Sequence, residues 1–104
     1  MQIEFTGRQT DVPPRLRALA ERKLRKLSRT LRGITHAHVV LITDKHRQIA
    51  EITVRSRHLV LAAQEEGADL AAALGTVMDK LTRQAQRHLG KRRERKPGLV
   101  GPEA

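Results

Sequence analysis

The segment HAHVVLITDKHRQIAEITVRSRHLVLAAQ, residues 36 to 64, decides the fold. Three runs in it are rich in Val, Ile, Leu and Thr: residues 36–43, 47–54 and 57–64. Such runs are typical of β-strands. A polar triplet at 44–46 and a short break near Ser56 separate them. Because connections this short join antiparallel neighbours, the segment predicts three antiparallel strands in succession.

The flanking segments predict the remaining elements. Residues 2–6 alternate between polar and apolar side chains, which predicts a half-buried strand that Gly7 can end. Leucine and alanine recur at three- and four-residue steps after Pro13-Pro14 and again after Asp69, a candidate N-cap. These stripes predict two amphipathic helices, of which the first stops at Gly33 and the second at about Gly90.

The predicted order is therefore β-α-β-β-β-α, an α+β fold. Its simplest packing is one four-stranded sheet with two helices on one face, and the first strand must rejoin the sheet through a crossover. A chain of 104 residues has room for one domain. We predict that this domain spans residues 1–90 and that residues 91–104 form a basic tail, because prolines and glycines there show no periodicity.

Composition excludes several classes of protein. The chain has no cysteine, which removes disulfides, thiolate metal sites and thiol nucleophiles. Phe5 is its only aromatic residue, so base stacking on aromatic rings has little support. The amino terminus lacks a secretory signal, and no stretch approaches the roughly 18 apolar residues of a membrane span. We expect a cytoplasmic protein with no membrane partner.

The formal net charge of +10 indicates a polyanionic partner. Sixteen of the 21 Lys and Arg residues lie in two segments, residues 15–32 and 80–96. Each segment contains a single acid, Glu21 or Glu94, so like charges face one another along the helices. The solvated face of an ordinary amphipathic helix would mix both signs. We therefore interpret the two helices as a nucleic-acid-binding surface.

The basic side chains form a column on each helix, away from the apolar stripe. The columns contain Arg15, Arg22, Lys26 and Arg29 on the first helix and Lys80, Arg83, Arg87 and Lys91 on the second. If both helices cover one sheet face, the columns become neighbours. RNA is favoured over DNA because no helix-turn-helix, zinc-finger or basic-zipper pattern is present, and phosphate and shape readout suits cations without aromatics.

No catalytic or metal site is predicted, and no cofactor. His36 and His38 share one face of a predicted strand, but no third metal ligand accompanies them. Glu65 and Glu66, predicted in the loop before the second helix, lack supporting groups for acid–base chemistry, so a helix-capping or dipole role suits them better. A ribonuclease that uses the two histidines is the weakest alternative.

The chain resembles the short ribosome hibernation promoting factors, the sigma-54 modulation family that includes the inhibitor called protein Y. The resemblance covers nearly all of residues 1–96 and rests on QIEFTGR, LRALAERKLRKL, AHVVL, AEITV and EEGADLAAAL followed by MDKLTRQ. It implies a fold similar to double-stranded RNA-binding domains, and we expect the protein to be a monomer. It also implies docking on the small ribosomal subunit and its 16S ribosomal RNA, in competition with messenger and transfer RNA, to inhibit translation under stress or in stationary phase.

The resemblance also implies which cations contact RNA phosphates. Those positions are Lys23, Lys26, Lys80, Arg83 and Arg87, and the columns add Arg22, Arg29 and Lys91. Pro13-Pro14 replaces a Thr-Pro helix entry, so Thr10 or Asp11 is expected to supply the cap. Two alternatives remain open: a general structured-RNA-binding protein or RNA chaperone, and a protein-binding transcription modulator that uses the free sheet face.

Overall fold

The computed structural model describes residues 1–57 and 59–94, with side chains of the last helix described as far as Leu89. The element order is β-α-β-β-β-α, as predicted. The elements are β1 Gln2–Arg8, α1 Pro14–Thr30, β2 Ile34–Asp44, β3 Arg47–Ser56, β4 Val60–Gly67 and α2 Leu70–Glu94. None of these helices has the length and apolar content needed to cross a bilayer.

The four strands form one sheet in the order β1-β2-β3-β4. β1 pairs in parallel with β2, and both other pairs are antiparallel. A parallel pair needs a crossover connection, and α1 supplies it. β1 and β4 are therefore the two edges of the sheet, and the expected meander of β2, β3 and β4 is confirmed.

Both helices pack on the same face of the sheet, which confirms the predicted architecture. One continuous core joins the apolar stripes of α1 and α2 to alternate residues of the strands, among them Val39, Leu41, Ile52 and Val54. Every member of this core is aliphatic or a methionine. Phe5 packs at its margin, half-buried, and the guanidinium carbon of Arg17 lies 5.3 Å from its ring centroid.

The predicted end of β1 and the predicted cap of α1 are wrong, whereas α1 starts at Pro14 as predicted. β1 continues through Gly7 to Arg8, and a Cβ at Gly7 would collide with the carbonyl oxygen of Thr10. This glycine therefore permits the close return of the chain after the strand rather than ending the strand. α1 has Pro13 as its N-cap with no side-chain cap, so neither Thr10 nor Asp11 caps it.

The predicted boundaries of β4 and α2 also shift. Ser56 donates its backbone N–H to the carbonyl of Leu59 at 2.8 Å, and this turn delays β4 to Val60. α2 starts after Asp69, which accepts the amide of Ala72 at 2.8 Å and so acts as the predicted N-cap. The helix passes Gly90 and includes the first four residues of the predicted tail, while residues 95–104 lie outside the described residues.

Candidate nucleic-acid interface

The solvent side of α1 is basic along its length. Leu16, Ala20, Leu24 and Leu27 form its buried side. On the opposite side, six cations on α1 or just beyond it are exposed: Arg15, Arg22, Arg25, Lys26, Arg29 and Arg32. The column argument missed Arg25 and Arg32, although each follows a column member by three residues and shares its ridge.

The two flanks of α1 face different neighbours. Arg17 lies over Phe5 of β1, and its Nε donates to the carbonyl of Val12 at 3.3 Å, so this flank faces the β1 edge. Lys23 is half-buried, and helical spacing places it on the other flank, away from β1. Because α1 contacts α2, this flank is the one toward α2. The hydrocarbon stem of this lysine can therefore cover the seam between the helices while the ammonium reaches water.

The basic column of α2 lies toward β4. Lys80, Arg83 and Arg87, with Gln86, line a shallow depression of about 550 Å³. The ammonium of Lys80 lies 3.0 Å from the carboxylate of Glu65 on β4. One turn later, Gln84 donates to the carbonyl of Ala62, also on β4.

The helix face therefore carries two basic ridges. The α1 ridge consists of the six exposed cations given above, and the α2 ridge consists of Lys80, Arg83 and Arg87. Both ridges lie on the same side of the sheet, as the sequence led us to expect, but the α2 ridge is displaced to the side of α2 next to β4. Lys91 belongs to α2, and its side chain lies outside the described part of the chain.

The predicted capping role of Glu65 and Glu66 is wrong. Both residues belong to β4, where successive side chains point to opposite faces of the sheet. Glu65 reaches Lys80 on the helix side, and Glu66 reaches the Nε of Arg47 at 3.3 Å on the free side. Each acid therefore pairs with a cation, and neither caps the start of α2, where Asp69 has that role.

The free face of the sheet has a different character. It mixes acids and cations: Glu4, Asp44, Glu51, Glu66, Arg8, Arg47 and Arg55. His38 shares a 2.8 Å hydrogen bond with the hydroxyl of Thr6, and His36 lies 3.0 Å from that of Thr35. Within residues 1–57 and 59–94, no group of three or more His, Cys, Asp or Glu side chains could hold a metal ion. The charge of the molecule is thus segregated, with its acid-poor surface on the helices.

Comparisons with known proteins agree with this architecture. The sequence profile of the family described as Sigma 54 modulation protein / S30EA ribosomal protein matches residues 3–93. A ribosome hibernation promoting factor from Azotobacter vinelandii is 35% identical over 98 residues, covering 94% of this chain and 92% of that protein. The factor of the same name from Escherichia coli strain K12 is 31% identical over 91 residues, covering 88% and 96%.

Two solved structures share the fold. The ribosomal subunit interface protein from Coxiella burnetii superposes with a TM-score of 0.80 at 28% identity, covering 86% of this chain and 99% of that one. The N-terminal domain of Thermus thermophilus Protein Y gives 0.78 at 34% identity, covering 85% and 99%. The predicted resemblance is confirmed: the chain belongs to the Sigma 54 modulation protein / S30EA ribosomal protein family.

Proposed function

We propose that this protein is a ribosome hibernation factor that binds the small ribosomal subunit and inhibits translation. The observation that carries the proposal is the segregation of charge, because a basic, acid-poor helix face opposes a sheet face of mixed sign. The relatives' names, ribosome hibernation promoting factor and ribosomal subunit interface protein, support a ribosomal partner.

The proposed contacts are made with phosphates of the 16S ribosomal RNA. The cations assigned to this role are Arg22, Lys23, Lys26, Arg29, Lys80, Arg83 and Arg87, with Lys91 added on sequence grounds. Arginine can bind phosphate oxygens in a bidentate way, and cations without aromatic partners read RNA through its backbone and shape. The exposure of the α1 ridge leaves these groups free to reach an RNA surface.

Inhibition is proposed to occur by occlusion, without chemistry. The bound factor would fill the channel that messenger and transfer RNA occupy during translation. Because both cannot occupy that volume at once, the bound factor prevents initiation. No nucleophile, base or metal is required, so we propose that the protein is not an enzyme. We place its action in the cytoplasm, as a monomer, under stress or in stationary phase.

Co-sedimentation with small subunits and whole ribosomes tests the proposal. We expect saturable one-to-one binding that messenger and initiator transfer RNA displace. Non-saturating binding, equal for unrelated structured RNA, would contradict the ribosomal site and support the general RNA-binding alternative.

A matched pair of variants tests the surface itself. Arg83→Glu with Arg87→Glu should abolish ribosome binding, because both side chains are exposed on the α2 ridge. Arg8→Glu with Arg55→Glu makes the same change in net charge on the free sheet face and should bind normally. Lys80 is left unchanged, since a glutamate there would face Glu65. Equal loss in both variants would show that net charge, and not the helix face, controls binding.

A further inference from the structure

Lys80 differs from every other cation of the proposed RNA interface whose side chain is described. It is the one whose charged group lies in an ion pair, 3.0 Å from Glu65. The two side chains are partly enclosed, with 43% of Lys80 and 29% of Glu65 exposed. The alternation of β4 directs Glu65 toward the helices, and its backbone position, opposite Ala50 of β3, is fixed by the sheet.

We propose that Glu65 is an intramolecular competitor that RNA phosphate must displace from Lys80. This inference rests on the proposed function, since it concerns the same surface. An ammonium has three N–H donors but a single positive charge, so a carboxylate and a phosphate held by the same ammonium repel each other and each weakens the other's contact. A strand residue cannot move far away, so the displaced carboxylate stays beside the incoming phosphate and repels it.

The competition has a signature in the salt dependence of binding. A free cation that meets a phosphate displaces counterions from the RNA, which makes affinity depend on salt. The charge of Lys80 is already neutralised by Glu65 before RNA binds. Its contact with RNA therefore replaces an internal carboxylate with an RNA phosphate and adds little to the salt dependence of affinity. Removal of the Glu65 charge should therefore raise affinity and also steepen its decline with salt.

Attachment of α2 to the sheet does not depend on this ion pair. Met78 and Leu81, on either side of Lys80, are buried in the core, and Gln84 bonds to β4 one turn later. Ion pairs with this degree of exposure contribute little to folding. Glu65 can therefore be neutralised with the α2 ridge still in place.

The test is a double-mutant cycle on a short RNA duplex, with Glu66→Gln as the matched control. Glu66 adjoins Glu65 on β4, and Glu66→Gln makes the same charge change and breaks an ion pair on the opposite face. We expect Glu65→Gln to lower the Kd about two- to fivefold, the range of exposed ion pairs, and to steepen the salt slope by about one. Glu66→Gln should change the Kd much less.

The second arm of the cycle repeats Glu65→Gln in a Lys80→Gln background. Its effect there should fall to that of Glu66→Gln, because no ammonium remains to be released. Equal effects of the two glutamate variants, or an effect that survives without Lys80, would overturn the proposal. Weaker binding by Glu65→Gln would also overturn it, since Glu65 would then position Lys80 for RNA.

Two further measurements keep the result interpretable. Thermal melting checks that each variant folds. If Glu65→Gln does not fold, Glu65→Asp replaces it, because aspartate has a shorter side chain and keeps the charge. Glu65→Asp should give a smaller gain in affinity than the one expected for Glu65→Gln. Wild-type binding to small subunits is measured separately. Failure of that binding would refute the proposed function alone, because the cycle on duplex RNA still decides whether Glu65 competes.

Discussion

Neutralisation of the α1 ridge should flatten the salt dependence of ribosome binding by a calculable amount. The change is Arg22→Gln, Lys26→Gln and Arg29→Gln, three exposed cations on the side of α1 opposite its leucines. Each phosphate contact releases counterions, so the slope of log affinity against log salt counts the contacts. The slope thus reports the role of these residues more directly than affinity at one salt concentration.

The magnitude follows from the number of free cations. Six proposed contacts have described side chains outside the described ion pairs: Arg22, Lys23, Lys26, Arg29, Arg83 and Arg87. At about −0.9 per contact on a duplex, these six should contribute about −5.4 to the wild-type slope, and the three that remain in the triple variant about −2.7. From about 50 to about 200 mM salt, these contributions alone should lower wild-type affinity about 2,000-fold and variant affinity about 40-fold.

The assay is co-sedimentation or fluorescence anisotropy with small subunits across a salt series. The matched control is Arg8→Gln, Lys45→Gln and Arg55→Gln, which removes the same charge from exposed positions outside the helices. Its slope should equal that of the wild type. An unchanged slope in the α1 variant, or an equal loss in the control, would refute the assignment of phosphate contacts to α1.

Three further outcomes test the parts of the fold that hold the interface. Gly67→Ala should destabilise the protein by about 1–3 kcal/mol in thermal or denaturant melts, because its Cβ would lie 2.6 Å from a backbone nitrogen in the first turn of α2. Asp69→Ala removes the N-cap of α2 and should cost about 1 kcal/mol in the same melts, with Asp69→Asn close to wild type. His36→Ala with His38→Ala should leave ribosome co-sedimentation unchanged, and loss of inhibition by that folded variant would revive the catalytic alternative.

Element type and order could be predicted from the sequence because the apolar patterns are long and regular. Apolar side chains recur several times in the runs that form β2 and β3 and in the two leucine-rich stripes. The period alone therefore distinguishes strand from helix. The start of β4 could not be predicted in this way. The turn between Ser56 and Leu59 depends on a backbone hydrogen bond, and no side-chain period reports such a bond.

The position of the α2 ridge beside β4 also could not be predicted from the sequence. A helical period shows on which side of the apolar stripe a cation lies, but not which neighbour occupies that side. The contact between Lys80 and Glu65 joins residues on two elements, and it follows from how α2 lies on β4. The predicted strand ends at Gln64 and so does not include Glu65. Because β4 continues to Gly67, the alternation of its side chains accounts for the direction of Glu65.

The core and the interface draw on separate sets of residues, which makes the proposed surface testable. The core is aliphatic, and the described ion pairs join side chains that are at least partly exposed. Exposed charges contribute little to folding, whereas buried leucines such as Leu24 and Leu81 contribute several kilocalories each. Like charges along the α1 ridge repel one another, and the leucine side of the helix offsets that cost. Substitutions on the ridges should therefore change RNA binding with the fold intact, so a loss of binding in such variants can be assigned to the surface.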